Sequence, residues 1–162
     1  MPLSDDTARD LARMLPNGRL TLPGVVTAGQ LSAEQFRAAA VAGMKTVLDL
    51  RPPDEARGYD EPATAREAGV DYRCLPVTAA SLGTAQFAEV RRVIGDLTLR
   101  PLLIHCATAN RVGAVLIPHL VLDQGMDSRE ALRVAREIGL RNDELARSAF
   151  EYVGRETAEP TI

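Results

Sequence analysis

Leu102-Leu103-Ile104-His105-Cys106-Ala107-Thr108-Ala109-Asn110-Arg111-Val112-Gly113-Ala114 passes from an apolar stretch to a cysteine, across small and polar residues to an arginine, and into a second apolar stretch with helical character. That order reads as strand, tight loop and helix start. It predicts a thiol and a guanidinium on two sides of one small concavity. Backbone N–H groups in such a loop, with a helix N-terminus behind them, gather anions. The same field favours a thiolate over a thiol. Gly113, in the first helical turn, lets backbone pack closely beneath the loop. In this setting the loop is expected to bind an anion or to carry Cys106 as a nucleophile, rather than to hold an inert core thiol.

Outward from this loop the chain alternates strand and helix patterns. Arg19–Leu22 and Val25–Ala28 flank a Pro23-Gly24 turn and read as short strands. Ser32 and Gln35 form a capping box, and Gly43 is a C-terminal cap, which predicts a helix over Ala33–Ala42. Residues 45–50 read as a strand, 51–61 as a polar, proline-bearing loop, 62–68 as a short helix stopped by Gly69, and 70–75 as a strand ended by Pro76. Thr84 starts a helix reaching about Leu97, and 101–106 is the next strand. Residues 112–124 are apolar nearly all round, the pattern of a buried helix, with Gly125 to end it. Asp127 with Glu130, and then Asn142, start two further helices, the last through about Val153.

Alternating strands and helices predict an α/β fold: a central, mostly parallel sheet of four to five strands with helices on both faces. The Cys106 strand should be central, with its C-terminal end at the ligand crevice. The expected organisation is an N-terminal arm over 1–18, loosely docked, one domain over 19–154, and a frayed tail over 155–162.

Composition narrows the function. A net charge of −3 gives neither a nucleic-acid footprint nor a polybasic membrane patch. Aromatics are 4% with no Trp, which argues against a base-stacking surface. No apolar run approaches the roughly 18 residues of a membrane span. Met1-Pro2-Leu3-Ser4-Asp5-Asp6 lacks the basic start and apolar stretch of a signal peptide. Two cysteines make no disulfide framework, so a reduced, cytoplasmic setting is expected. With two histidines and no clustered thiols, neither a metal nor another cofactor is expected. Cys74 reads as a core residue. It would resolve Cys106 as a disulfide only if their Cα atoms lay within about 7 Å. His119 reads as a core histidine.

His105-Cys106 through Arg111-Val112-Gly113-Ala114 resembles the active loop of the cysteine-dependent phosphatases, the protein-tyrosine and dual-specificity group. It is most similar to a bacterial subfamily related to the beta-lactamase hydrolase-like phosphatases and sulfurtransferases. Thr27-Ala28-Gly29-Gln30, then Gly43-Met44-Lys45-Thr46-Val47-Leu48-Asp49-Leu50-Arg51, then Tyr72-Arg73-Cys74-Leu75-Pro76-Val77 follow the order of that group, so the resemblance covers about residues 19 to 150.

The resemblance implies a phosphatase-like hydrolase. Cys106 would attack as thiolate and form a cysteinyl-phosphate. Arg111 would hold two oxygens of the phosphate bidentately. Backbone N–H groups of Ala107, Thr108, Ala109, Asn110, Arg111 and Val112 would bind the remaining charge. His105 would orient the loop. The partner implied is a phosphorylated protein or a small phosphoester. Three departures weaken that chemistry. Only four residues separate Cys106 from Arg111, one fewer than in the phosphatases, as in rhodanese-type sulfurtransferase loops. Val112 stands where a hydroxyl normally helps the sulfur leave, with Thr108 as a substitute. Ala109 replaces the loop glycine, at about 1 kcal/mol or more if φ is positive there.

The general acid, worth roughly 10²–10⁴-fold, is also missing from its usual loop, since 77–84 holds no carboxylate. Asp54, Glu55 and Asp60 are the acid candidates in the loop after Leu50, against their reading as solvated charges. Arg51 either adds positive potential to the mouth or pairs with Asp54 or Glu55. A slow phosphatase is therefore the first expectation. A sulfurtransferase carrying a persulfide on Cys106, fed by a small sulfur donor, is the second. A module that binds a small oxyanion without turnover is the third.

Overall fold

The computed structural model describes residues 3–158. The sheet has the order β1-β2-β5-β3-β4, with β1 (Arg19–Leu22), β2 (Val25–Ala28), β3 (Thr46–Asp49), β4 (Asp71–Cys74) and β5 (Leu102–His105). β1 and β2 form an antiparallel hairpin, and every other pairing is parallel. β5 lies in the middle. It pairs with β2 on one side and β3 on the other, and His105 stands in register with Ala28 and Asp49. The loop after β5 therefore opens at the C-terminal edge of the sheet, flanked by the loops after β2 and β3.

Alternation along the strands divides two hydrophobic layers. Leu102, Ile104 and Cys106 join Leu48 and Leu50 in the layer formed with α4 (Thr84–Gly95), α5 (Asn110–Pro118), α6 (Ser128–Ile138) and α7 (Asp143–Thr157). Leu103, Val26 and Val47 join the opposite layer, with α1 (Asp5–Met14), α2 (Ala33–Ala42) and α3 (Glu61–Ala68). His105 has the parity of Leu103 and is fully buried on the α3 side. The α/β expectation holds, with helices on both faces.

Two expectations need correction. The N-terminal segment is not loosely attached. Ala8, Leu11, Ala12 and Leu15 recur at helical spacing and are buried, so α1 is a layer element. The expected helix over 112–124 begins at Asn110, runs to Pro118, and continues as a π-helical turn, His119–Asp123. Proline lacks the N–H that would bond one turn back, and its ring crowds that carbonyl, so the helix widens there. At the C-terminus α7 runs to Thr157, so residues 155–157, expected in a frayed tail, are helical, and 159–162 lie outside the described residues.

Candidate active site

The loop from Cys106 to Asn110 is held from outside. Gln30 N–H donates to the Ala107 carbonyl at 2.9 Å, and Asn17 Nδ2 donates to the Thr108 carbonyl at 3.1 Å. Gly113 N–H donates to the Ala109 carbonyl at 3.0 Å. With these carbonyls tied outward, no N–H from Ala107 through Val112 finds an acceptor among the described residues. Clustered, uncommitted N–H donors at a helix N-terminus form an anion cradle. Cys106 is fully buried at the strand end.

Ala109 has φ of +66°, the left-handed conformation that costs a non-glycine residue about 1 kcal/mol or more. Its methyl fits because Gly139 has none: a Cβ there would stand 2.9 Å from the Ala109 Cβ. A Cβ on Gly113 would meet the Ala135 carbonyl at 2.6 Å, so this glycine allows α5 to approach α6 closely, as its place in the sequence suggests. Asn110 Oδ1 accepts from the N–H groups of Arg141 and Asn142, tying the helix start to the α6–α7 connection.

Arg111 is gripped at one end. Nη1 donates to Glu55 Oε2 at 2.8 Å and to the Val77 carbonyl at 3.1 Å, and Nη2 donates to Glu55 Oε1 at 3.0 Å. Among the described residues Nε has no hydrogen-bond acceptor, so the Nε–Nη2 edge can take a second bidentate partner. The hydrogen bonds with Glu55 raise the Arg111 pKa, burial opposes the rise, and the charges of Cys106 and Glu55 add to it. The loop lacking a carboxylate thus contributes a carbonyl, from Val77.

Two of the three acid candidates, Glu55 and Asp60, have other partners. Glu55 accepts from both Arg111 and Arg51, whose Nε lies 2.9 Å from its Oε1. The Arg111 hydrogen bond, chiefly, lowers its pKa to about 2; burial opposes this and Arg51 adds to it. Such a carboxylate is ionised at neutral pH and has no proton to give. Asp60 caps α3 by accepting from Ala63 N–H at 3.0 Å, and Asp54 is exposed on the loop. Arg51 takes the ion-pair alternative, with Glu55.

Beneath the cradle, His105 Nε2 lies 2.6 Å from Glu61 Oε2, with both side chains buried. Burial raises the Glu61 pKa, but hydrogen bonds from His105, Gln30 and Tyr59 outweigh it and the net shift is downward. Asp49 accepts from Arg57 Nε at 2.8 Å, Tyr72 Oη at 2.6 Å and the Arg51 N–H at 2.9 Å. Asp49, Glu61 and His105 bring possible metal-ligand atoms within 4.8 Å of one another. Arginine, tyrosine, glutamine and backbone donors already serve these carboxylates, so the cluster is a hydrogen-bond network. The sequence reading missed Gln30, Asp49, Arg57 and Glu61 as site residues.

Cys74 is exposed at the sheet edge rather than in the core. Its thiol donates to the Arg51 carbonyl at 3.2 Å, and desolvation, then the charge of Asp49, push its pKa up. Asp49 is in register with both Cys74 and His105. Cys74 and His105 are therefore about two strand spacings, roughly 10 Å, apart, and Cys106 lies one residue further along, so the two cysteines are beyond the ~7 Å reach of a disulfide. His119 is buried as expected, with Nδ1 3.1 Å from Asp123 Oδ2.

A central strand ending in His-Cys, a loop of inward N–H groups and an arginine at the following helix define the fold of the protein-tyrosine-phosphatase-like phosphatases. Solved structures agree. The chain is similar to Tk-PTP in its active form, with a TM-score of 0.73 and 21% identity, over 86% of this chain and 98% of that one. It is also similar to TpbA of P. aeruginosa bound to pTyr, with a TM-score of 0.67 and 22% identity, over 85% and 83% of the two chains. In sequence it is 31% identical over 110 residues to a beta-lactamase hydrolase-like protein of Xylella fastidiosa, over 64% of this chain and 25% of that protein. The chain thus spans about a quarter of the length of the curated relatives it matches. No protein-family model matches it. Among the described residues, no helix is long and apolar enough to cross a membrane.

Proposed function

We propose that the chain is a cysteine-dependent phosphatase for phosphomonoesters with good leaving groups. The observation that carries this reading is the cradle: uncommitted N–H groups from Ala107 to Val112 around a buried Cys106, closed by the free edge of Arg111. The Cys106 thiolate attacks phosphorus, so an S–P bond forms as the ester P–O bond breaks. Water then cleaves the S–P bond, returning the thiolate and inorganic phosphate. The equatorial oxygens sit on Arg111 and the loop N–H groups, where charge is spread in the transition state. Among the described residues, Glu55 is held ionised by Arg111, Asp60 is spent on the cap of α3, and Asp54 has no contact that holds it at the site, so no acid is fixed beside the departing oxygen. An aryl phosphate, which leaves as a stable phenolate, is therefore turned over faster than an alkyl phosphate, whose alkoxide needs the missing 10²–10⁴-fold of acid catalysis. The test is release of phosphate from para-nitrophenyl phosphate by the wild type and by Cys106→Ser. Turnover lost by at least about 10³-fold in the variant is expected; equal rates, or none in the wild type, overturn the reading.

The committed carboxylates also favour a second reading, since transfer of sulfur needs no such proton. Cys106 would attack the outer sulfur of thiosulfate, forming a persulfide as the donor S–S bond breaks and sulfite leaves. A mass increase of about 32 Da on Cys106 after incubation with thiosulfate supports it, and its absence removes it.

A further inference from the structure

A continuous chain of hydrogen bonds rings the site. His105 Nδ1 lies 3.4 Å from the Cys106 carbonyl, and its Nε2 meets Glu61 Oε2 at 2.6 Å. Glu61 Oε1 accepts from Gln30 Nε2 at 2.7 Å, and Gln30 Oε1 accepts from Arg51 Nη1 at 3.0 Å. Arg51 Nε donates to Glu55, and Glu55 holds Arg111. One side chain joins the half beneath the nucleophile to the half behind the arginine: Gln30, from the loop after β2.

Its partners fix the amide orientation. A glutamate carboxylate only accepts and a guanidinium only donates, so the amide nitrogen must face Glu61 and its oxygen Arg51. A flip would set oxygen against carboxylate and N–H against guanidinium. The remaining amide N–H goes to the Leu31 carbonyl at 2.9 Å. The backbone of the same residue ties the cradle itself, through its N–H on the Ala107 carbonyl at 2.9 Å. Neither a carboxylate nor an ammonium serves both neighbours at once.

We infer that Gln30 is a positioning residue: its amide couples the His105–Glu61 pair under the Cys106 loop to the Arg51–Glu55 pair that aims Arg111. The inference deepens the phosphatase reading and rests on it for the turnover arm, but its first arm needs only anion binding. Three variants test it: Gln30→Met, which keeps length without hydrogen bonds; Gln30→Glu, which sets two carboxylates against each other; and Gln30→Glu with Glu61→Gln, which exchanges donor and acceptor across the same contact. The measurements are the affinity for inorganic phosphate, and kcat and KM for para-nitrophenyl phosphate. Gln30→Met and Gln30→Glu are expected to weaken phosphate binding by about tenfold and to lower kcat/KM by about 100-fold, the order expected for a misplacement near 1 Å. The exchanged pair is expected to regain most of both losses, which a space-filling role would not produce. Phosphate affinity in Gln30→Met within about threefold of wild type overturns the inference, as does an exchanged pair no better than Gln30→Glu. If the wild type binds phosphate but turns nothing over, the phosphatase reading fails while the binding arm still decides the role of Gln30.

Discussion

Two loops at the same edge of the sheet build the site, and they are held by different means. The Cys106–Asn110 loop is held by backbone and shape: its carbonyls accept from Gln30, Asn17 and Gly113, and it rests against Gly139. The loop over 51–60 is held by charge. Arg57 donates to Asp49 and to the carbonyls of Pro52, Glu55 and Arg51, while Arg51 and Arg111 share the Glu55 carboxylate. The three hydrogen bonds of the first arrangement use no ionisable side chain. The second fixes the aim of one guanidinium, and it weakens when a carboxylate takes a proton. The proposed phosphoryl transfer needs the former, because oxyanion donors must be in place before charge develops. An arginine on a flexible stem needs the latter.

Among changes that set one loop against the other, the largest effect is expected where the two loops meet. Arg111→Lys keeps a positive charge but removes the fork that serves Glu55 at one end and an oxyanion at the other. Turnover of para-nitrophenyl phosphate should fall by about 10²–10³-fold, the range seen when one oxyanion donor is removed. A loss under about tenfold would mean that the backbone cradle alone does the binding, and that the charged loop only shapes the mouth.

The difference between the loops also explains what the sequence made legible. α2 starts and stops where Ser32, Gln35 and Gly43 place it, because caps are local hydrogen bonds between residues a few positions apart. The Cys106 loop was legible for the same reason, since strand, thiol, arginine and glycine are contiguous. The positive φ at Ala109 was foreseen conditionally, but Gly139, which makes it tolerable, lies 30 positions away, beyond any local pattern. The charged loop is only partly legible for that reason: the sequence offers the Arg51–Glu55 pair among its alternatives but does not choose between them. Asp54, Glu55 and Asp60 look alike in sequence, and only the fold sends Glu55 to Arg111, Asp60 to the cap of α3, and Asp54 to solvent. Glu61 beside Pro62 reads as an ordinary acidic helix start; its contact with His105, 44 positions away, is made only by the fold. Pro118 was a visible sign that 112–124 is not one regular helix.

The next effect probes the shape-held loop. A methyl on Gly139 would lie 2.9 Å from the Ala109 Cβ and 3.0 Å from its backbone, at a φ of +149° that disfavours side chains. Gly139→Ala is therefore expected to destabilise the protein by about 2–3 kcal/mol in urea unfolding and to weaken phosphate binding, because the displaced residue is part of the cradle. Adding Ala109→Gly removes the methyl–methyl clash and should restore part of the loss. No recovery would place the strain in the Gly139 backbone alone, and would separate the cradle from its packing.

The smallest effect probes the charge-held loop. Folding lowers the Glu55 pKa from 4.5 to about 2, so the folded state holds this carboxylate ionised where the unfolded chain would begin to protonate it. The stabilisation is fully present above pH 4.5 and is lost as pH falls toward 2. Glu55→Gln removes it. At pH 7 the variant should be less stable by about 1–2 kcal/mol, a figure reduced for solvent screening at this partly exposed site. Between pH 5 and pH 3 the wild type should lose stability more steeply than the variant, so the gap narrows on acidification. Urea midpoints across that range measure it. Parallel curves would show that Glu55 acts through shape rather than charge, which would remove the contrast between the two loops. Converging curves would place the electrostatic hold on Arg111 in this one carboxylate, and would identify protonation of Glu55 as the event that frees the arginine.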